Sequence, residues 1–113
     1  MNKRQLGGQK EELAAAYLQD RGYVILERNY YCAAGEIDLI AKDGCYLVFI
    51  EVKYRKDSRF GLPEEAVTPG KCRTIYRAAQ YYMKERHTGV NRPCRFDVVA
   101  ILGDRITLIP DAF

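Results

Sequence analysis

A chain of 113 residues, 48% hydrophobic and 29% charged, has the balance of one ordinary globular domain over residues 1–113. Its length suffices to bury roughly two-thirds of the unfolded surface around a single core. The net charge of +3 is mild; it permits a nucleic-acid partner without requiring one. No apolar run approaches a membrane span, and the opening MNKRQLGGQK lacks the apolar segment of a signal peptide. Cys32, Cys45, Cys72 and Cys94 include no C-x-x-C pair. The expectation is a cytoplasmic protein with reduced thiols, no zinc site and no membrane partner.

In chain order, residues 3–21 read as a helix, with Leu13, Ala14, Tyr17 and Leu18 at helical spacing and Gly22 where a helix-ending glycine belongs. Glu11 falls at the edge of that stripe and Glu12 points further round toward solvent. Residues 23–32 have the β-branched and aromatic content of a strand. There Arg28 and Tyr30 suit either a phosphate contact or ordinary surface and packing. Residues 35–55, GEIDLIAKDGCYLVFIEVKYR, give two apolar runs joined at Asp43-Gly44, a strong hairpin signal. These strands are apolar on both faces over much of their length, so helices are expected above and below the sheet.

Residues 56–69 (KDSRFGLPEEAVTP) break periodicity and read as a long loop leaving directly from Lys53. Thr68 and Pro69 then open a second helix as N-cap and first helical residue. Ile75, Ala78, Ala79 and Tyr82 form its buried stripe, Gly89 follows its end, and Lys71, Arg73, Arg77, Lys84 and Arg86 populate the remaining surface. Tyr81 is the aromatic of this helix placed to stack on an unpaired base. Residues 94–102 and 105–109 are two closing strands around Gly103-Asp104. Within them, Asp97 is read as an outer acid of a site or as a partner of Arg95 or of a backbone donor.

The chemistry concentrates in the central hairpin. A two-residue turn at Asp43-Gly44 pairs Lys42 with Cys45, sets Asp38 opposite Phe49 and sets Glu36 opposite Glu51. Glu36, Asp38, Glu51 and Lys53 then share one face, since side chains alternate along each strand. Facing carboxylates destabilise a sheet, and a divalent cation relieves them. Mg²⁺ (or Mn²⁺) accepts one or two protein carboxylates together with waters, here Asp38 and Glu51, with the Val52 carbonyl as a further ligand. The plainer alternative is a sheet rim on which Asp38 and Lys53 form a solvated ion pair. Arg55, Lys56 and Arg59, and on the second helix Lys71, Arg73 and Arg77, suit either phosphates or plain solvation.

Asp38, a hairpin and then Glu51-Val52-Lys53 resembles the D…(D/E)-x-K signature of the PD-(D/E)XK nuclease superfamily, which includes archaeal Holliday-junction resolvases and many restriction enzymes. The longer words are more specific: residues 35–40 (GEIDLI), 49–55 (FIEVKYR), 66–69 (AVTP), 95–99 (RFDVV) and the terminal DAF. Together they resemble the YraN family of small bacterial proteins over nearly the whole chain. The resemblance implies an α/β restriction-endonuclease-like fold, a mixed sheet covered by helices on both faces in the order α-β-β-β-α-β-β. It also implies a Mg²⁺-dependent endonuclease acting on DNA, selective for branched or repair intermediates, with Asp38, Glu51, Lys53 and Glu11 as its catalytic set. Glu11 takes its role from the glutamate that related resolvases carry on the first helix. Those relatives act as dimers, which leaves a homodimer open. Two other classes compete: a nucleic-acid-binding module that keeps the fold without turnover, and a protein-interaction adaptor using exposed tyrosines.

Overall fold

The structure, a computed structural model, describes residues 3–89 and 92–113. Helix α1 (Lys3–Asp20) precedes strands β1 (Val24–Cys32), β2 (Gly35–Asp43) and β3 (Tyr46–Arg55). A short 3₁₀ turn (Pro63–Ala66) and helix α2 (Pro69–Glu85) then lead to β4 (Cys94–Leu102) and β5 (Arg105–Ile109). The strands form one five-stranded sheet in the order β1-β2-β3-β4-β5. Every neighbouring pair is antiparallel except β3 and β4, which run parallel. That parallel pairing explains why a helix stands between them, because parallel neighbours need a long crossover. The mixed sheet and the element order are as expected.

The core lies in two layers, one on each face of the sheet. Ala14, Ala15 and Leu18 of α1 pack on Leu39, Ala41, Val48, Ile50, Val99 and Ile101. Ile75, Ala78, Ala79 and Tyr82 of α2 pack on Tyr30, Ile37, Ile40, Leu47 and Phe49. The stripe expected on α2 is therefore the observed one. On α1 it differs, since Leu13 is 43% exposed and Ala15 is buried in its place. The buried face runs through 11, 14, 15 and 18, and Leu13 lies on the far side of the helix at about 100° per residue.

Both helices end in the same hydrogen-bonded closure. Tyr23 N–H bonds Leu18 C=O and Gly22 N–H bonds Gln19 C=O, both at 3.0 Å, at the end of α1. After α2, Thr88 N–H bonds Met83 C=O and His87 N–H bonds Lys84 C=O. There the left-handed residue is His87, at φ 53°, so Gly89 is not the residue that ends the helix. Thr68 caps its other end, its side chain accepting from the Lys71 N–H at 3.3 Å.

The central hairpin differs from expectation by one turn position. Asp43 pairs with Tyr46 and Lys42 with Leu47, so the turn is Gly44-Cys45. Gly44 takes positive φ (59°), the pattern of a type II′ turn with glycine first rather than the type I′ turn that Asp-Gly suggests. Each pairing moves by two residues, which preserves the faces but changes who meets whom. Asp38 is not opposite Phe49, nor Glu36 opposite Glu51; Phe49 pairs with Ile40, and Glu36 pairs with Tyr31 of β1.

Gly35, at φ 145°, begins β2 where the second turn of α2 comes against it, and a Cβ there would lie 2.6 Å from Thr74 Cγ2. Gly35→Ala is expected to destabilise by about 1–3 kcal/mol through overpacking and backbone strain. Denaturant unfolding measures it, and adding Thr74→Ser should recover part of the loss.

At the turn end of the sheet Asp97 is fully buried and satisfied. It accepts from Arg95 (2.9 Å), Tyr23 Oη (2.9 Å) and the Asp111 N–H (3.0 Å). Arg95 also reaches Asp43 at 2.9 Å. Asp97 is thus the partner of Arg95 and of a backbone donor, tying the last strands to the first. Residues 56–68 are not structureless throughout, because the Pro63–Ala66 turn packs against β3 and β4.

Candidate functional site

The pairing of β2 with β3 stops at Leu39–Ile50. The next residue on each strand is an acid, Asp38 on one and Glu51 on the other. The corrected register therefore brings these two carboxylates closer than expected, onto directly adjoining positions. Instead of a strand–strand bond, Val52 N–H donates to Asp38 Oδ2 at 2.8 Å. A side chain has entered the ladder where the strands part.

Strand geometry around Asp38 is irregular in a way that serves this. Leu39 packs with the α1 layer and Ile37 with the α2 layer, although residues two apart on a regular strand face the same side. Across on β1, Asn29 takes φ 54° between Arg28, paired with Leu39, and Tyr30, paired with Ile37. Such local disruptions re-aim side chains near sheet edges. Here Asp38 comes within reach of acids from both faces: Glu51 from β3 and Glu11 from α1.

Both acids are deeply placed, with Glu51 3% and Asp38 6% exposed. Burial, then repulsion from Glu51, pushes the Asp38 carboxyl up to about 7, against the opposing pull of the Val52 N–H. Glu11 is pushed up to about 7 by burial and then by Asp38, partly offset by a hydrogen bond with Asn29. Two ammonium groups face this charge from one side. Lys53 Nζ lies 3.5 Å and Lys71 Nζ 3.8 Å from Glu51 Oε1. The other oxygen, Glu51 Oε2, is buried with no hydrogen-bond partner. A buried carboxylate oxygen without a donor is costly, and a cation is one way to satisfy it.

The donor set suits a hard divalent cation. Asp38 and Glu51 are two carboxylates on adjoining positions, and the Val52 carbonyl belongs to the residue whose N–H already holds Asp38. Mg²⁺ is held by one or two carboxylates and keeps several waters. Among the described residues no three His, Cys, Asp or Glu side chains gather as a complete metal cage. Glu11 therefore stands as an outer acid, beside a groove of about 390 Å³ lined by Gly7, Gly8, Glu11, Asn29, Tyr31 and Glu36.

The basic residues divide. Lys71 joins the acids; Arg55 is half-buried at the end of β3, while Lys56, Arg59, Arg73 and Arg77 are exposed and none of these four reaches an acid of the site. Arg28 pairs with Glu12, and Tyr30 is core, its hydroxyl bonding Glu85 at 3.1 Å. Sequence reasoning placed Lys71 on a phosphate-facing helix surface and did not connect it with Glu51. The signal was there, since Thr68 as N-cap puts Lys71 in the first turn, directly after the loop that leaves from Lys53.

Fold and site together define a small α/β protein with an acid–lysine cluster where two central strands part. The family model for the uncharacterised protein family UPF0102 matches residues 10–101, and the chain belongs to that family, the one its YraN-like words resemble. A UPF0102 protein of Lachnoclostridium phytofermentans is 50% identical across 100% of this chain and 96% of its own. One from Nitrosococcus oceani is 47% identical over 97% of this chain and 92% of its own. A third, from Caldicellulosiruptor saccharolyticus, is 48% identical over 89% and 85% respectively. No helix among the described residues is long and apolar enough to cross a membrane.

Proposed function

We propose that this protein is a divalent-cation-dependent phosphodiesterase acting on DNA, with a restriction-endonuclease-like fold and selectivity for branched or repair intermediates. The observation that carries the reading is the buried, partnerless Oε2 of Glu51, on the strand position adjoining Asp38, with both lysines on the other carboxylate oxygen. Asp38, Glu51 and the Val52 carbonyl would hold Mg²⁺ or Mn²⁺, which when bound polarises a phosphoryl oxygen and acidifies its water. Lys53 orients the attacking water and offsets the charge that builds on the phosphoryl oxygens in the transition state. Lys71, like Lys53, holds Glu51 by Oε1 and leaves Oε2 for the cation. Glu11 adds an outer acid from α1. Arg55, Lys56, Arg59, Arg73 and Arg77 supply positive charge for the phosphate backbone, and such contacts weaken steeply as salt rises.

The lack of a third carboxylate or imidazole ligand among the described residues favours one rival, a nucleic-acid-binding module that does not turn over. A panel of linear, flap and branched DNA incubated with Mn²⁺ separates the two. Cleavage by the wild type that Glu51→Gln abolishes is the expected result. Binding that persists in EDTA, with no cleavage of any substrate in Mg²⁺ or Mn²⁺, makes the binding module correct instead.

A further inference from the structure

The loop between β3 and α2 leaves the site and returns to it. It departs two residues after Lys53 and ends at the helix turn carrying Lys71, and both lysines contact Glu51. Near its middle stands Phe60, 82% exposed, the most exposed of the large hydrophobic side chains among the described residues. Nothing in the fold accounts for an aromatic ring held out in this way.

The backbone beneath it is fixed locally. Arg59 N–H donates to Asp57 Oδ1 at 3.0 Å, Gly61 N–H donates to Ser58 C=O at 3.1 Å, and Gly103 N–H holds Arg55 C=O at 2.8 Å at the loop's base. Gly61 sits at φ 112° where a Cβ would come 2.8 Å from Glu65 Oε2. Phe60 is therefore presented by a built turn. Its neighbours Lys56 and Arg59 are exposed, and Asp57, the acid among them, is engaged with the Arg59 backbone. An apolar ring flanked by cations matches a charged backbone bearing flat, apolar bases. Phe60 is seven positions beyond Lys53, so its Cα lies at most about 25 Å from that of Lys53.

We infer that Phe60 is a specificity-determining wedge, stacking on bases that have come apart at a branch or end and so directing this site to discontinuous DNA rather than intact duplex. Apolar side chains inserted at base steps unstack them, and a ring stacks on any base without reading its identity. The cations fix the backbone beside the gap; the ring fills the gap. An intact duplex offers no such opening without the cost of unstacking, which is where the preference arises. The inference deepens the phosphodiesterase reading and rests on it only for the purpose of the recognition.

The test avoids cleavage, so that it fails or succeeds independently of turnover. Wild type, Phe60→Ala and Phe60→Trp are titrated in EDTA against a three-way junction carrying 2-aminopurine at the branch point, and against duplex of the same sequence. The wild type should bind the junction more tightly and change the 2-aminopurine emission. Phe60→Ala should lose about tenfold in junction affinity and the emission change, with duplex affinity unchanged, while Phe60→Trp retains both. Equal junction preference in wild type and Phe60→Ala, or equal losses on junction and duplex, overturns the wedge. So does a change of sedimentation behaviour in Phe60→Ala without DNA, which would make the ring a contact between copies of the chain.

Discussion

Asp38→Asn should abolish cleavage and, in the same protein, raise the stability of the metal-free fold. The two effects have one origin. Asp38 is a buried carboxyl next to Glu51, and the amide that replaces it is almost the same shape without the charge. Its oxygen can still accept from the Val52 N–H, so the opening between β2 and β3 should persist. What disappears is repulsion with Glu51 and, with it, half of the anionic pair available to a cation. Losing one preorganised electrostatic partner of a transition state costs about 10²–10³-fold in rate, and at least that is expected. The gain in stability at pH 8 should be on the order of 1–3 kcal/mol, since each pKa unit is worth about 1.4 kcal/mol. Lys53→Ala should also remove cleavage but without that gain, because it exposes Glu51 to less compensation rather than more. A site of purely structural meaning gives the opposite for Asp38→Asn: lower stability. Urea unfolding and a single-turnover assay decide it, and unchanged activity in both variants rules the site out.

Stability should also respond to pH and to divalent cations together. The Asp38 carboxyl is raised from 3.8 to about 7, and Glu11 from 4.5 to about 7. A carboxyl raised on folding holds its proton more tightly in the folded chain than in the unfolded one. Its contribution to stability is therefore fully present below the unfolded value and is lost as pH rises through the folded value. For the metal-free protein the fall should run from about pH 4 to about pH 7. A bound divalent cation favours the ionised acids, so the rise in melting temperature on adding Mg²⁺ or Mn²⁺ should be larger at pH 8 than at pH 5. At a hundredfold excess over Kd the gain would be about 2.7 kcal/mol. Glu51→Gln should remove that dependence. Equal melting shifts at both pH values, or shifts that survive in Glu51→Gln, would mean that the acids bind no cation.

Much of the scaffold is legible in the residues themselves. Thr68-Pro69 and the spacing of Ile75, Ala78, Ala79 and Tyr82 define α2, because capping and amphipathic periodicity are local properties. Strands β4 and β5 are equally plain, being apolar runs on either side of Gly103-Asp104. The failures have a common cause in competition between nearly equal local choices. Asp43-Gly44 and Gly44-Cys45 both make two-residue turns around one glycine, and both leave Leu47 and Phe49 on the α2 face, so the hydrophobic pattern does not choose between them. On α1, the alanines hid which face was buried; Leu13 looked like core, whereas Ala15 is. The association of Lys71 with Glu51, and the break in alternation at Asp38 across from Asn29, are products of tertiary assembly that no periodicity announces. A shift of two positions preserves parity along β3, so Glu51 and Lys53 keep one face, but the break in alternation between Ile37 and Leu39 ends the expected common face of all four residues, and Glu36 lines the groove with Gly7, Gly8 and Glu11 of α1.

The parallel pairing of β3 with β4 sets Glu51 beside Val98 and Leu47 beside Cys94, partners far apart along the chain. Contacts of such long sequence separation close slowly, and a lone hairpin is marginal in water. During synthesis Asp38 and Glu51 emerge well before β4, the strand that pairs beside Glu51. A nascent polypeptide thus carries Asp38 and Glu51 while the enclosure around them does not yet exist, and the acids are gathered only once the later strands have been made.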